Sequence, residues 1–200
     1  MDAMHRLSYG LFLLTAKSKA GTDNGCILNT VMQITDSPKR VIVAINKANL
    51  THDLVLEVGT FCISILTEQT PFKVFEQYGF TSGRTADKFA QSTYPRDNTG
   101  NIYINDYANA YISGKVVASH DCGTHTLFIA DVTESSVLSD IPSVTYQYYF
   151  DRIKPAPKLP NTAKSAWVCN ICGYVYEGDA LPEDYVCPIC KHGAEAFEPS

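Results

Sequence analysis

The apolar positions of this chain fall in short runs, not in long helical stripes. Residues 40–46 and Thr60–Leu66 are compact, β-branched stretches of the kind that a sheet buries. Residues 8–16 and 26–35 flank a turn-rich Gly21-Thr22-Asp23-Asn24-Gly25 and predict a hairpin. Residues 111–118, 126–133 and 144–150 supply three further strands. Between the strands, Thr51 can cap a helix, with Asp53 in its first turn and Gly59 just past its end. Thr70-Pro71 opens another with proline at the first helical position, and Gly79 closes it. Many strands with two or three short helices, and no internal repeat, predict a mainly β barrel with helical excursions.

The pattern changes after residue 151. Residues 152–166 carry three prolines, four bases and no acid. Proline fixes φ and removes a backbone donor, so this stretch is expected to be extended. At roughly 3.1 Å per residue, about 15 residues reach on the order of 45 Å. A basic linker over 152–166 thus separates a body, 1–151, from a small module, 167–200.

Charge sharpens the division. The chain has 21 acids and 16 bases. The module holds six of those acids (Glu177, Asp179, Glu183, Asp184, Glu195, Glu198) and one base, Lys191, which leaves 15 of each elsewhere. A neutral body and an acidic tail argue against nucleic acid, which needs a basic face, and favour a basic protein partner. With 45% hydrophobic residues among 200, there is enough for one sizeable core plus an appendage. Apolar runs such as 41–45 and 61–66 are too short to span a bilayer, so no membrane role is expected. The first residues lack the basic-then-apolar design of a signal peptide, and a cytoplasmic location follows as an expectation.

Four of the seven cysteines fall in the last 32 residues, as Cys169-Asn-Ile-Cys172 and Cys187-Pro-Ile-Cys190 with fourteen residues between. Clustered cysteines in a reducing compartment read as a metal site rather than as disulfides. Each knuckle converges two thiolates, and two knuckles complete a tetrahedral shell that suits zinc or iron. Gly173 stands where the turn needs positive φ. Trp167, Tyr174, Tyr176, Tyr185 and Phe197 give the module a large aromatic core. Cys26, Cys62 and Cys122 read as small buried hydrophobes.

The run Trp-Val-Cys-x-x-Cys-Gly-Tyr-Val-Tyr, then Tyr-Val-Cys-Pro-x-Cys and the late Phe197, resembles a rubredoxin over residues 167–198. Its inter-knuckle segment is closer to the rubredoxin tail of rubrerythrins. The resemblance implies one iron per chain on Cys169, Cys172, Cys187 and Cys190, with zinc able to replace it on overexpression.

Four blocks of the body resemble the flavin reductase and flavoredoxin family, an FMN-binding split β-barrel. They are residues 24–35, 46–52, 78–89 and 123–129. The resemblance implies FMN. Asn29, Thr30 and Gln33, with Val31 and Met32 beside them, are expected along its pyrimidine edge. Asn46, Lys47, Asn49, Thr51, His52, Ser82, Gly83, Arg84 and Lys88 are the phosphate-side candidates. Many NAD(P)H-using relatives carry Gly-Asp-His where this chain has Gly123-Thr124-His125. His125 is therefore the candidate catalytic residue, and direct NAD(P)H use stands open. No Gly-x-Gly-x-x-Gly fingerprint supplies a dinucleotide site elsewhere.

Together these features describe a flavin barrel joined to a rubredoxin-like iron module, an oxidoreductase that converts two-electron to one-electron traffic. The family resemblance implies a homodimer, an upstream reductase and a downstream acceptor such as a diiron flavoprotein that reduces oxygen or nitric oxide. Two alternatives are an NAD(P)H:flavin reductase that releases reduced flavin, and a flavin-free zinc-ribbon interaction module.

Overall fold

The structure, a computed structural model, describes residues 6–90, 93–155, 166–188 and 192–199. It divides into two compact units, Met1–Ile153 and Lys154–Ser200. The first is built on seven strands: β1 (Phe12–Lys17), β2 (Asp23–Leu28), β3 (Val31–Asp36), β4 (Lys39–Asn46), β5 (Thr60–Leu66), β6 (Ala108–Asp121) and β7 (His125–Val137). They lie in the order β2-β1-β5-β6-β7-β4-β3, with every neighbouring pair antiparallel.

Burial follows the strand period where one face is covered. Val41, Val43 and Ile45 alternate inward along β4 and meet Leu14, Phe61, Ile63, Phe128 and Ala130 in the barrel core. β5 is central and buried almost throughout, which matches its β-branched run. Helix α1 (Leu50–Val58) packs on β1, β2 and β4, and adds Leu54 and Val55 to the same core. It stops at Gly59, whose φ is 71°. A second cluster joins Leu11, Leu13 and Leu66 to Phe75, Tyr78, Phe89 and Tyr149.

Several local expectations change. Residues 26–35 form two strands instead of one, because the chain leaves β2 at Leu28 and re-enters the sheet at Val31 on its opposite edge. Residues 144–150 do not form a strand. Thr145 accepts the Tyr148 amide through its hydroxyl at 3.1 Å, starting the helical turn α3 (Tyr146–Tyr148) and a π-helical turn over Tyr149–Ile153. Tyr146 and Tyr149, three apart, then stack with centroids 6.4 Å apart. Asn49, not Thr51, is the N-cap of α1, and Pro71 caps α2 (Phe72–Phe75) from outside its first turn. Gly79 lies inside the π-helical turn Glu76–Phe80 that extends α2. Cys26 and Cys62 are buried as expected, whereas Cys122 is exposed at the β6–β7 turn.

The second unit holds a three-stranded sheet in the order β10-β8-β9, from β8 (Ala166–Cys169), β9 (Val175–Glu177) and β10 (Phe197–Pro199). Of the expected linker, residues 156–165 lie outside the described residues, Arg152 and Ile153 close the π-helical turn, and Ala166 opens β8. Among the described residues, no helix is long and apolar enough to cross a membrane.

Candidate flavin and metal sites

The first metal knuckle is a backbone turn at the end of β8. The Cys169 amide donates to the Tyr174 carbonyl at 2.8 Å, and the Gly173 amide returns to the Cys169 carbonyl at 2.7 Å. This tight reversal needs Gly173 at φ +81°, a conformation that a side chain disfavours. Across the unit, the Cys187 amide donates to the His192 carbonyl at 2.8 Å. The sulfurs of Cys169, Cys172 and Cys187 lie within 4.8 Å of one another, and Cys172 and Cys187 are 3.4 Å apart. Thiolates about 2.3 Å from a tetrahedral ion stand roughly 3.8 Å apart, so these three fit one metal. Cys190 lies outside the described residues.

Aromatic rings close the site. Phe197 meets Tyr185 edge-on with centroids 5.4 Å apart, and Tyr176 packs on Tyr185 at 4.7 Å. Cys169 and Cys187 are fully buried beside them. Such a largely buried, soft-ligand shell is chemically suited to iron or zinc.

Several of the residues expected on the phosphate side gather around α1. Asn24 on β2 donates through Nδ2 to the Thr51 hydroxyl at 3.0 Å, and both are buried. Gly83 sits directly on Asn24: a Cβ there would stand 2.2 Å from its Oδ1. His52, also buried, places Nε2 2.9 Å from the Thr126 hydroxyl and Nδ1 3.1 Å from Asp53. Arg84 reaches the other Asp53 oxygen at 2.6 Å. Ser82, through its hydroxyl, accepts the Arg84 amide at 3.3 Å. Asn24, Asp53 and Thr126 thus join the site as partners of predicted residues. Asn24 and Thr126 lie inside the family blocks 24–35 and 123–129, and Asp53 in the first helical turn, but no sequence signal singled them out as binding candidates.

A second group assembles where β4 runs beside β7. Asn46 pairs with His125 across the two strands, and the Lys47 amide donates to the Thr124 carbonyl at 3.0 Å. Lys47 Nζ meets Asp121 at 2.6 Å, and the Thr124 hydroxyl is 2.9 Å from His125 Nδ1. The Asn49 amide donates back to the Asn46 carbonyl at 3.0 Å, which ties this corner to the start of α1. Asn29 and Thr30 form the bend between β2 and β3, where the Thr30 hydroxyl donates to Asn29 Oδ1 at 3.0 Å and its carbonyl accepts from the Ala44 amide at 3.3 Å. Val31, Met32 and Gln33 line a separate groove of about 390 Å³ with Phe12, Ile65 and Ile112.

Lys88 differs from the other cations. Its ammonium is buried and donates to the carbonyls of Gly25 at 2.8 Å and Tyr78 at 3.0 Å, so it braces backbone. Burial pulls its pKa below the ordinary lysine value. Asp53 ends below the usual carboxylate range: burial pushes it up, and the hydrogen bonds from His52 and Arg84 outweigh that. Asp121 is likewise lowered, first by Lys47 and then by the Gly123 amide. Cys26 is raised by burial despite Thr51 and Lys88 nearby, which disfavours the nucleophilic thiolate.

The donor set suits an anionic ligand. Arg84 and Lys47 are part-exposed, each held by a carboxylate that a phosphate can replace. The N-cap of the nine-residue α1 makes no side-chain capping bond, and the positive end of that helix favours an anion.

Comparison with known proteins finds two families along the chain. Residues 4–157 match the flavin reductase like domain family, and residues 167–198 match the rubrerythrin, rubredoxin-like domain. The chain is 38% identical to the high molecular weight rubredoxin of Moorella thermoacetica, over 98% of this chain and 97% of that protein. It is 37% identical to the ferric-chelate reductase (NAD(P)H) of Archaeoglobus fulgidus, over 82% of this chain and 95% of that protein. Among solved structures, a putative flavin reductase from Haemophilus somnus superposes with a TM-score of 0.64 at 19% identity, over 72% of this chain and 90% of that one, which shows the split-barrel fold. The chain therefore belongs to the flavin reductase-like family, as an oxidoreductase whose barrel is joined to a rubredoxin-like domain with a cluster of cysteines.

Proposed function

We propose that this chain is an electron carrier that passes electrons from a reductant through FMN on the barrel to one iron on Cys169, Cys172, Cys187 and Cys190, and then to a protein acceptor. The observation that carries the reading is the convergence of three thiolates on a chain whose larger unit belongs to the flavin reductase-like family. Bound FMN supplies two-electron acceptance with one-electron release, whereas iron among four thiolates takes one electron at a time. Asn29, Thr30 and Gln33 are assigned to the pyrimidine edge, with Val31 and Met32 against the ring system. Lys47, Arg84, Ser82, Gly83 and the start of α1 at Asn49, Thr51 and His52 are assigned to the phosphate. Asn46 holds this corner through its side chain, which accepts the Ala48 amide at 2.9 Å. Lys88 serves from behind, through the carbonyls it braces.

The acidic second unit suits transient, charge-steered docking on a basic acceptor in the cytoplasm, for which a diiron flavoprotein is the assignment. Edge strand β3 leaves Met32 and Ile34 63% and 42% exposed, and we assign that edge to a second copy of the chain. The relative from Archaeoglobus fulgidus, named for NAD(P)H, favours a second reading in which NAD(P)H reduces the flavin directly, with His125 near the nicotinamide.

Anaerobic rapid mixing with a flavin-specific reductant tests the first reading. Iron reduction is expected to follow FMN reduction at a rate independent of protein dilution, because both centres share one chain. A rate that falls with dilution places the transfer between molecules, and absence of iron colour after ferrous reconstitution ends the iron assignment.

A further inference from the structure

One cation sits on the first metal knuckle without belonging to either set of site residues. Lys154 Nζ donates to the Asn170 carbonyl at 2.6 Å and to the Ile171 carbonyl at 3.1 Å. Asn170 and Ile171 are the two residues between Cys169 and Cys172. The stem follows the same turn, since its Cε lies 3.7 Å from where a Cβ on Gly173 would stand. Lys154 is half-buried, and it is the only lysine or arginine among the described residues of the second unit.

The consequence is electrostatic. Four thiolates around ferric iron carry a net charge of −1, and one added electron makes it −2. A fixed ammonium beside the knuckle stabilises the more negative state more strongly, and partial burial limits its screening by salt. The peptide groups respond in the same sense. In a trans peptide the carbonyl and the N–H point in opposite directions. An ammonium on the Asn170 and Ile171 oxygens therefore polarises the Ile171 and Cys172 N–H groups on the other face as stronger donors. The acids of the second unit push the opposite way, and Lys154 is the one lysine or arginine that opposes them among its described residues.

The geometry points to Lys154 as a positioning residue that raises the reduction potential of the four-thiolate iron by holding a positive charge on the first knuckle. This rests on the iron assignment above. The one electron involved comes from reduced flavin in the protein, or from dithionite in a titration, and no proton is required.

The test is a mediated redox titration of the full-length, iron-loaded protein and three variants. Lys154→Met removes charge and donors, Lys154→Gln removes charge and keeps an N–H donor, and Lys154→Arg keeps both. Met and Gln are expected to shift the reduction equilibrium about tenfold toward the ferric form, roughly 59 mV for one electron. Arg is expected to stay within about threefold of the parent. In the zinc-loaded form, amide exchange at Ile171 and Cys172 should quicken for Met and much less for Gln. Unchanged potentials in Met and Gln overturn the proposal. Should neither hold iron while Arg does, the residue is structural and the proposal also fails. A parent protein that takes up no iron defeats the assignment beneath it instead, so the two failures are distinct.

Discussion

In the barrel, Leu13, Val43, Phe61, Ile63 and Phe128 are wholly buried, and seven strands share one sheet. In the second unit, only Ala166, Cys169, Cys187 and Phe197 are buried among the described residues, and its strands are three or four residues long. Two of those four buried residues are thiols that converge with Cys172. A unit of this size lacks the apolar area to offset its chain entropy, so metal ligation supplies what packing does not. The barrel needs no such help. One chain thus holds two units stabilised by different physics, which ought to fail independently.

The sharpest way to break that comparison is to remove a thiolate. Structural metal binding to such knuckles contributes on the order of 10 kcal/mol or more, so Cys187→Ser is expected to unfold the second unit outright. Trp167 is the chain's only tryptophan and lies in that unit, so its emission reports the loss directly. Barrel melting followed by circular dichroism should not move. Unchanged Trp167 emission in the variant would show that packing alone holds the unit.

The converse change strikes the barrel core. Phe61→Ala is expected to cost about 3–5 kcal/mol, because Phe61 is fully buried. The thiolate-to-iron absorption should be untouched at room temperature. Loss of both signals at one lowered temperature would mean the units are thermodynamically coupled.

The smallest effects are expected at the candidate phosphate-side charges. Lys47→Ala and Arg84→Ala should weaken FMN binding by about 1–3 kcal/mol each if those cations meet the phosphate. Apo-protein stability should change by less than about 1 kcal/mol, because both ion pairs are part-exposed. Asp53 is held below its unfolded value of about 3.9. Its contribution is therefore complete above that value and disappears as pH falls through the lower folded one. Urea titrations of parent and Arg84→Ala should differ at neutral pH and converge in acid. Unaltered FMN affinity in both variants would move the phosphate elsewhere.

How far these features were legible varies with how local their causes are. The knuckle glycine and the aromatic shell were readable because neighbouring residues impose them: Gly173 must take positive φ whatever lies around it. The β-branched run Thr60–Leu66 and the stop at Gly59 were readable for the same reason. Residues 144–150 misled, since Tyr146, Tyr149 and Phe150 favour strands only where a sheet receives them. Here the Thr145 hydroxyl and a waiting aromatic cluster decide otherwise. Asn24 and Thr126 fall inside the family blocks, but their contacts to α1 were not legible, because those exist only once distant strands are brought to one helix. By sequence Lys154 is one charge of a basic linker, and only three-dimensional placement distinguishes it from the others.

The bend at Asn29 and Thr30 has a consequence for how the chain reaches this shape. β2 and β3 are the two outermost strands of the sheet, with five strands between them, yet two residues join them. So short a link cannot cross a flat seven-stranded sheet, whose strands are about 4.8 Å apart. The sheet must curl until its two margins almost meet. That curling requires β1, β5, β6, β7 and β4 to be side by side, and several of those contacts join residues far apart in sequence. High contact order of this kind slows folding to roughly milliseconds or longer. Asn29 and Thr30 therefore take their final places only when the barrel closes, which makes closure of the sheet and completion of that corner of the barrel a single event.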